Sequence, residues 1–128
     1  MKLLLDTHAV LWWLDDHPRL SDKARQVIAD PTNECWLSAA SVFEIETKHR
    51  LGKLRLPEAL ANGWADTLRM ENWILLPVSL AHATWAGKHP SAHGDPFDRL
   101  LAAQAKLDGL TLVTIDPAFT TFETTTLW

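Results

Sequence analysis

The chain predicts an α/β fold: one domain spanning residues 1–128, with a central, mostly parallel sheet of four to five strands and helices on both faces. Three observations support this. Short apolar runs of strand length alternate with longer helix-length segments. The strongest runs, Leu3-Leu-Leu5 and Thr111-Leu-Val-Thr-Ile115, show no polar alternation, as expected of strands buried on both sides. Acidic residues stand where such runs end, namely Asp6 and Asp116, and where a helix begins, in Asp95-Pro-Phe-Asp98.

The elements follow in order. Leu3–Leu5 is a buried strand, and Thr7 opens a helix to Leu14, which Pro18 ends. Ser21 is the expected N-cap of a second helix reaching Ile28. Asp30-Pro-Thr-Asn33 has turn chemistry, Cys35–Ser38 is a strand, and a helix runs from Ala40 to about Arg50 before Gly52. Pro57 is expected to open a helix reaching about Met70, and Trp73–Leu76 forms a strand ended by Pro77. Ser79–Gly87 reads as helix and Lys88–Gly94 as a polar loop. Pro96 falls in the first turn of a helix ending near Gly109. Leu110–Ile115 is the clearest strand, and the tail Thr120–Trp128 alternates weakly enough to suggest an edge strand.

With 128 residues and 47% hydrophobic content, the chain can bury one core. No apolar run approaches the ~20 residues needed to span a bilayer, and the first residues lack the pattern of a signal peptide. Cys35 is the single cysteine, so no internal disulfide can form; a cytoplasmic location with no membrane partner is the expectation. Sixteen acids against twelve Lys and Arg weigh mildly against a nucleic-acid partner. Setting aside Asp6, Glu44, Asp95, Asp98 and Asp116 brings the remaining charge close to balance, which permits RNA.

In an open parallel sheet, functional groups collect beyond the carboxyl ends of the strands. Carboxylates gathered there repel one another, and a divalent cation relieves the repulsion. Each acid also has a bland role. Asp6 and Asp116 suit helix or turn starts, and Asp95 with Asp98 suits a variant capping box. Glu44 suits a capping box with Ser41, or an i,i+4 pair with Lys48; Glu46 stands in the same relation to Arg50. The six histidines show no metal-ligand spacing, and no HExxH, paired CxxC or nucleophile elbow is present. The adjacent pair Trp12-Trp13 cannot share one narrow helix face, which leaves one ring for a partner surface. The segment Lys48–Arg55 gathers positive charge beside Glu44, either as a solvated helix end or as a contact for phosphates.

Leu4-Leu-Asp-Thr-His-Ala-Val-Leu-Trp-Trp13, Ser41-Val-Phe-Glu-Ile-Glu-Thr-Lys48 with Leu51-Gly-Lys-Leu54, Asp95-Pro-Phe-Asp-Arg-Leu-Leu-Ala-Ala-Gln-Ala105 and Leu112-Val-Thr-Ile-Asp116 occur in that order. Together they resemble a PIN-domain ribonuclease, specifically a VapC-like toxin of a bacterial toxin–antitoxin pair, over nearly the whole chain. The resemblance implies four catalytic, metal-holding acids: Asp6, Glu44, Asp98 and Asp116. It favours Glu44 over Glu46 and gives accessory places to Thr7, Asp95 and Thr114. Ile115 departs from the pattern, since relatives often carry Arg there. Further implications are Mg²⁺ (or Mn²⁺) as cofactor, Asp6 and Asp98 as direct ligands, and hydrolysis of RNA to 5′-phosphate and 3′-hydroxyl ends. Lys48, Arg50, Lys53 and Arg55 are the expected RNA contacts. A cognate antitoxin and a second copy of the chain are the expected protein partners. The alternatives are a housekeeping RNA-processing nuclease of the same fold and, more remotely, a receiver-like signalling domain.

Overall fold

The computed structural model describes all of residues 1–128. In chain order the elements are β1 (Lys2–Leu5), α1 (Thr7–Leu14), α2 (Asp22–Ala29), β2 (Glu34–Ser38), α3 (Ala39–Arg50), α4 (Trp64–Glu71), β3 (Ile74–Leu76), α5 (Leu80–Lys88), α6 (Pro96–Leu107), β4 (Thr111–Val113) and β5 (Thr126–Leu127). Short 3-10 turns occupy Glu58–Leu60 and Pro117–Phe122. No helix is long and apolar enough to cross a membrane.

Five strands form one sheet in the order β3-β2-β1-β4-β5, and every pairing is parallel. Because strand side chains alternate between faces, Leu3-Leu-Leu5 serves two cores. Leu3 and Leu5 join Leu37 and Val113 under Ala9 and Val10 of α1, Ala24 and Ile28 of α2 and Ile45 of α3. Leu4 points the other way, joining Leu112 and Leu76 against Leu101, Ala102 and Ala105 of α6 and Phe119 and Phe122 of the last turn. The unalternating apolar run is therefore the signature of a sheet covered on both sides.

The topology places the crevice. From β1 the chain builds outward through β2 to β3, then returns to the other side of β1 as β4. The strand order thus reverses between β1 and β4, where the connections beyond the strand ends diverge. The seam is joined there: the Asp6 amide donates to the Val113 carbonyl at 3.1 Å.

Two expectations change in detail. The segment from Pro57 is not one helix to Met70. A 3-10 turn comes first, and Gly63, at φ 89° and ψ 169°, interrupts the backbone before α4 starts at Trp64. That conformation is accessible essentially to glycine alone. The tail does form the edge strand β5, but the chain first winds through the turn Pro117–Phe122, whose two phenylalanines fill the second core. Trp12 and Trp13 are both partly buried against the core. Trp12 stacks on His17 and meets Trp128, with the Arg19 guanidinium over its ring. Trp13 donates its indole N–H to Glu71 at 2.9 Å. Cys35 is buried, and burial pushes its thiol up to about 11.

No neighbouring atom crowds a Cβ at Gly63. Gly63→Ala is therefore expected to destabilise the protein by about 1–3 kcal/mol through backbone strain alone. Chemical denaturation checks this; unchanged stability would mean that the α4 start relaxes freely.

Candidate active site at the strand-order reversal

Asp6 ends β1 and caps α1, its Oδ1 accepting from the Ala9 amide at 2.7 Å. The cap holds the carboxylate beyond the end of β1, where it is 4% exposed, so capping does not preclude a role in the site. Burial pushes its pKa up to about 6, against opposing pulls from Thr114, the Ala9 amide and His8, with Asp98 adding to the rise. Asp98 lies in the first turn of α6. Its pKa is also raised, chiefly by burial, with a hydrogen bond from His93 opposing and the charges of Asp95 and Glu44 reinforcing. Acids from β1, α3 and α6 therefore feel one another across the crevice.

Glu44 is buried on α3, where an unpaired carboxylate would be costly. The Thr7 hydroxyl donates to Oε1 at 2.6 Å and the Lys48 ammonium to Oε2 at 2.6 Å. The i,i+4 pair is thus real, and it sits inside the site. The alternative capping box does not form: Ser38 caps α3, and Ser41 lies buried within the helix, in contact with the Thr7 hydroxyl at 3.2 Å. Glu46 is exposed and accepts from the Trp64 indole at 2.8 Å. Burial and partners separate the two glutamates where helical periodicity could not.

Asp95 is the N-cap of α6. Its Oδ1 accepts from the amides of Phe97 and Asp98 at 2.9 and 3.0 Å, and its charge still reaches Asp98. Thr114 is buried just beyond β4, and its hydroxyl accepts from the Asp116 amide at 3.1 Å. The Asp116 carboxylate caps the following turn, accepting from the Ala118 amide at 2.9 Å. Asp116 thus follows β4 beside Thr114, while Asp98 is coupled electrostatically to Glu44 and acts in turn on Asp6. Of the basic segment, Lys48 faces Glu44, whereas Arg50, Lys53 and Arg55 are exposed.

Two residues in this region escape sequence reasoning. His93 approaches Asp98 Oδ2 through Nε2 at 2.9 Å. Arg99 donates to four backbone carbonyls, those of Ala86, His89, Ser91 and His93, at 2.5–2.9 Å. One guanidinium thereby ties the loop carrying His93 to the helix carrying Asp98. The only signal in the chain was a histidine five residues before the acid.

The donor set suits a hard divalent cation, because it consists of carboxylate oxygens whose mutual repulsion such an ion would relieve. In the present conformation no three His, Cys, Asp or Glu side chains are arranged to hold a metal. Both Glu44 oxygens and Asp98 Oδ2 are occupied by protein partners. Asp6, one oxygen of which accepts from the Ala9 amide, and the remaining Asp98 oxygen are the groups that would hold such a cation.

An open parallel sheet with acids meeting at its strand-order reversal is the architecture of a nuclease-like PIN domain, and the sequence profile of that family, described as "PIN domain", matches residues 3–123. The chain belongs to the PIN-domain family and, within it, to the VapC-like group. Ribonuclease VapC22 of Mycobacterium tuberculosis is 33% identical over 115 residues, covering 89% of this chain and 86% of that protein. Ribonuclease VapC16 of the same organism is 40% identical over 84 residues, covering 62% of this chain and only 57% of that protein. Among solved structures, VapBC2 from Rickettsia felis, crystallised with a DNA fragment from its promoter, gives a TM-score of 0.72 at 18% identity, covering 100% of this chain and 99% of that one. That match establishes the fold.

Since the folded pKa of Asp6 lies above its ordinary value of 3.8, the folded state binds this proton more tightly than the unfolded state. The buried charge costs stability at neutral pH, and the cost is relieved as pH falls through about 6 toward 4. Asp6→Asn preserves the cap and is expected to stabilise the metal-free protein by roughly 2–3 kcal/mol at pH 7. The gain should shrink as pH drops toward 5. Paired melting curves across pH check this, and a gain that grows on acidification would reverse the sign.

Arg99→Lys is expected to leave several loop carbonyls unbonded, costing about 2 kcal/mol or more. Amide exchange should quicken in residues 89–94; unchanged protection there would show that the loop holds without the guanidinium.

Proposed function

We propose that this protein is a Mg²⁺-dependent endoribonuclease, with Mn²⁺ an effective substitute, acting as the toxin of a toxin–antitoxin pair. The observation that carries the reading is the electrostatic coupling of half-buried Asp98 with buried Asp6 and buried Glu44, contributed by three different segments of the fold. Its chemical class is supported by relatives named as ribonucleases.

Asp6 and Asp98 would supply the direct oxygen ligands, with Glu44 and Asp116 completing the acidic wall. A divalent ion held there supplies positive charge to the scissile phosphate and acidifies water in its coordination shell. The protein's own part is to hold these carboxylates without loss of alignment. The Ala9 amide fixes Asp6, Thr7 and Lys48 fix Glu44, and His93 fixes one oxygen of Asp98. No side chain need act as nucleophile, in keeping with the absence of a Ser or Cys paired to a base at the site. Exposed Arg50, Lys53 and Arg55, just beyond Glu44 in the chain, would meet RNA phosphates.

The proposed protein partners are a small antitoxin and a second copy of the chain. For the second copy, edge strand β3 and the start of α5 leave Ile74, Leu75, Val78 and Leu80 exposed, with Leu80 at 85%. An edge strand bearing exposed apolar side chains is ready for self-association.

Purified protein should cleave single-stranded RNA on addition of Mg²⁺ and stop when chelator is added. Asp6→Asn and Asp98→Asn should each abolish cleavage in a folded protein, and full activity of either variant would remove that residue from the site. Changing Lys53 and Arg55 together to Gln should flatten the salt dependence of RNA binding by about 0.7 log units per lost contact and leave the cleavage position unchanged. Identical slopes would assign both cations to a solvated helix end.

A further inference from the structure

Phe43 and Phe97 form an edge-to-face pair, with ring centroids 5.7 Å apart and planes at 87°. The folded chain gives little reason for this pair to lie where it does, because Phe43 is 66% exposed on a helix whose Ile45 is fully buried. A phenylalanine left in water forgoes the burial that normally justifies it. Position supplies the missing reason. Phe43 directly precedes Glu44, and Phe97 directly precedes Asp98. The contact between the two rings therefore bridges α3 and α6, the helices that carry Glu44 and Asp98. Charge on the same helix face selects the kind of ligand. Phe43 and Arg50 are separated by seven residues, which places them on one exposed side of α3 about 10 Å apart. An aromatic face followed by a cation suits a nucleobase followed by a phosphate.

We propose that Phe43, braced edge-on by Phe97, is a stacking platform for one unpaired base of single-stranded RNA next to the scissile phosphate. The proposal rests on the ribonuclease reading and adds a subsite to it. Phe97 gives the ring a partner before RNA arrives, and Phe43 still remains 66% exposed to solvent. Stacking requires only a π-face, so this subsite tolerates any base and excludes paired RNA, whose bases are already stacked. It thus selects single-stranded segments, while the acids do the chemistry.

The test is equilibrium binding of fluorescently labelled decamers of oligo(A), and of a matching ribose-phosphate decamer without bases, measured by anisotropy in chelator so that no cleavage occurs. Phe43→Ala should weaken oligo(A) binding about tenfold, the order expected for loss of one stacked base. Phe43→Trp should restore it. Phe43→Leu, which keeps apolar area but has no π-face, should remain weak. All three variants should bind the base-free decamer as the parent does, with the same salt dependence. Because Phe43 is exposed, circular dichroism should show each variant folded. If Phe43→Ala binds oligo(A) as tightly as the parent, or Leu serves as well as Trp, the stacking proposal is overturned. Sedimentation then tells whether the pair instead belongs to a contact between copies of the chain. A parent that neither binds oligo(A) nor cleaves RNA with Mg²⁺ defeats the ribonuclease reading itself, whereas a parent that does both alongside an indifferent Phe43→Ala defeats only the platform.

Discussion

Burying carboxylates beside one another at the reversal between β1 and β4 is the constraint around which the rest of this structure is arranged. Asp6 sits beyond the end of β1, its pKa raised by desolvation and by Asp98. Each neighbouring device reduces the cost of that placement without removing the negative charge. A helix start donates its amide to Asp6, a threonine and a lysine hold Glu44, and a histidine meets Asp98. A fold seeking stability alone would put apolar side chains here, since buried charges rarely repay their desolvation. Keeping them is what the proposed cation site would require, and the two largely separate apolar cores on either side of the sheet supply the stability that makes it tolerable.

The sheet does more than support the acids. Its parallel order places the ends of β1 and β4 side by side, so groups far apart in the chain, Asp6 and Thr114, become neighbours of one crevice. Helices α3 and α6 bring Glu44 and Asp98 from the two sides. Arg99 then binds the loop before α6 to the helix itself, so that the position of His93 is a consequence of the fold rather than of a flexible segment.

Much of this was legible in the chain. The uninterrupted Leu3–Leu5 run announced a strand covered on both faces, and the Asp-Pro-Phe-Asp segment announced a capped helix with an acid in its first turn. The PIN-type order of motifs selected Glu44 over Glu46, and the structure supplies the physical difference, one being buried with two partners and the other exposed. What could not be read depended on contacts between distant segments. His93 has no meaning until the loop folds over Asp98. Phe43 looks like any apolar helix residue until its neighbours prove to be water and Phe97. The single helix expected from Pro57 failed at Gly63, because helical periodicity in the flanking residues outweighed a lone glycine that adopts a left-handed φ. The partners of Trp12 and Trp13, Trp128 and Glu71, come from distant segments and could not be read from the pair itself.

The central claim, that the coupled acids form a binding site for a hard divalent cation, is tested most directly by the melting temperature as a function of Mg²⁺ concentration at neutral pH and constant ionic strength. Relief of carboxylate repulsion by a bound ion should raise the melting temperature of the native protein progressively, since a ligand that binds only the folded state stabilises it by mass action. The same titration of Asp98→Asn should show most of that rise lost. A native protein whose melting temperature ignores Mg²⁺ and Mn²⁺ into the tens of millimolar (roughly, the range in which weak sites still register), or a variant that responds as fully as the parent, would contradict it.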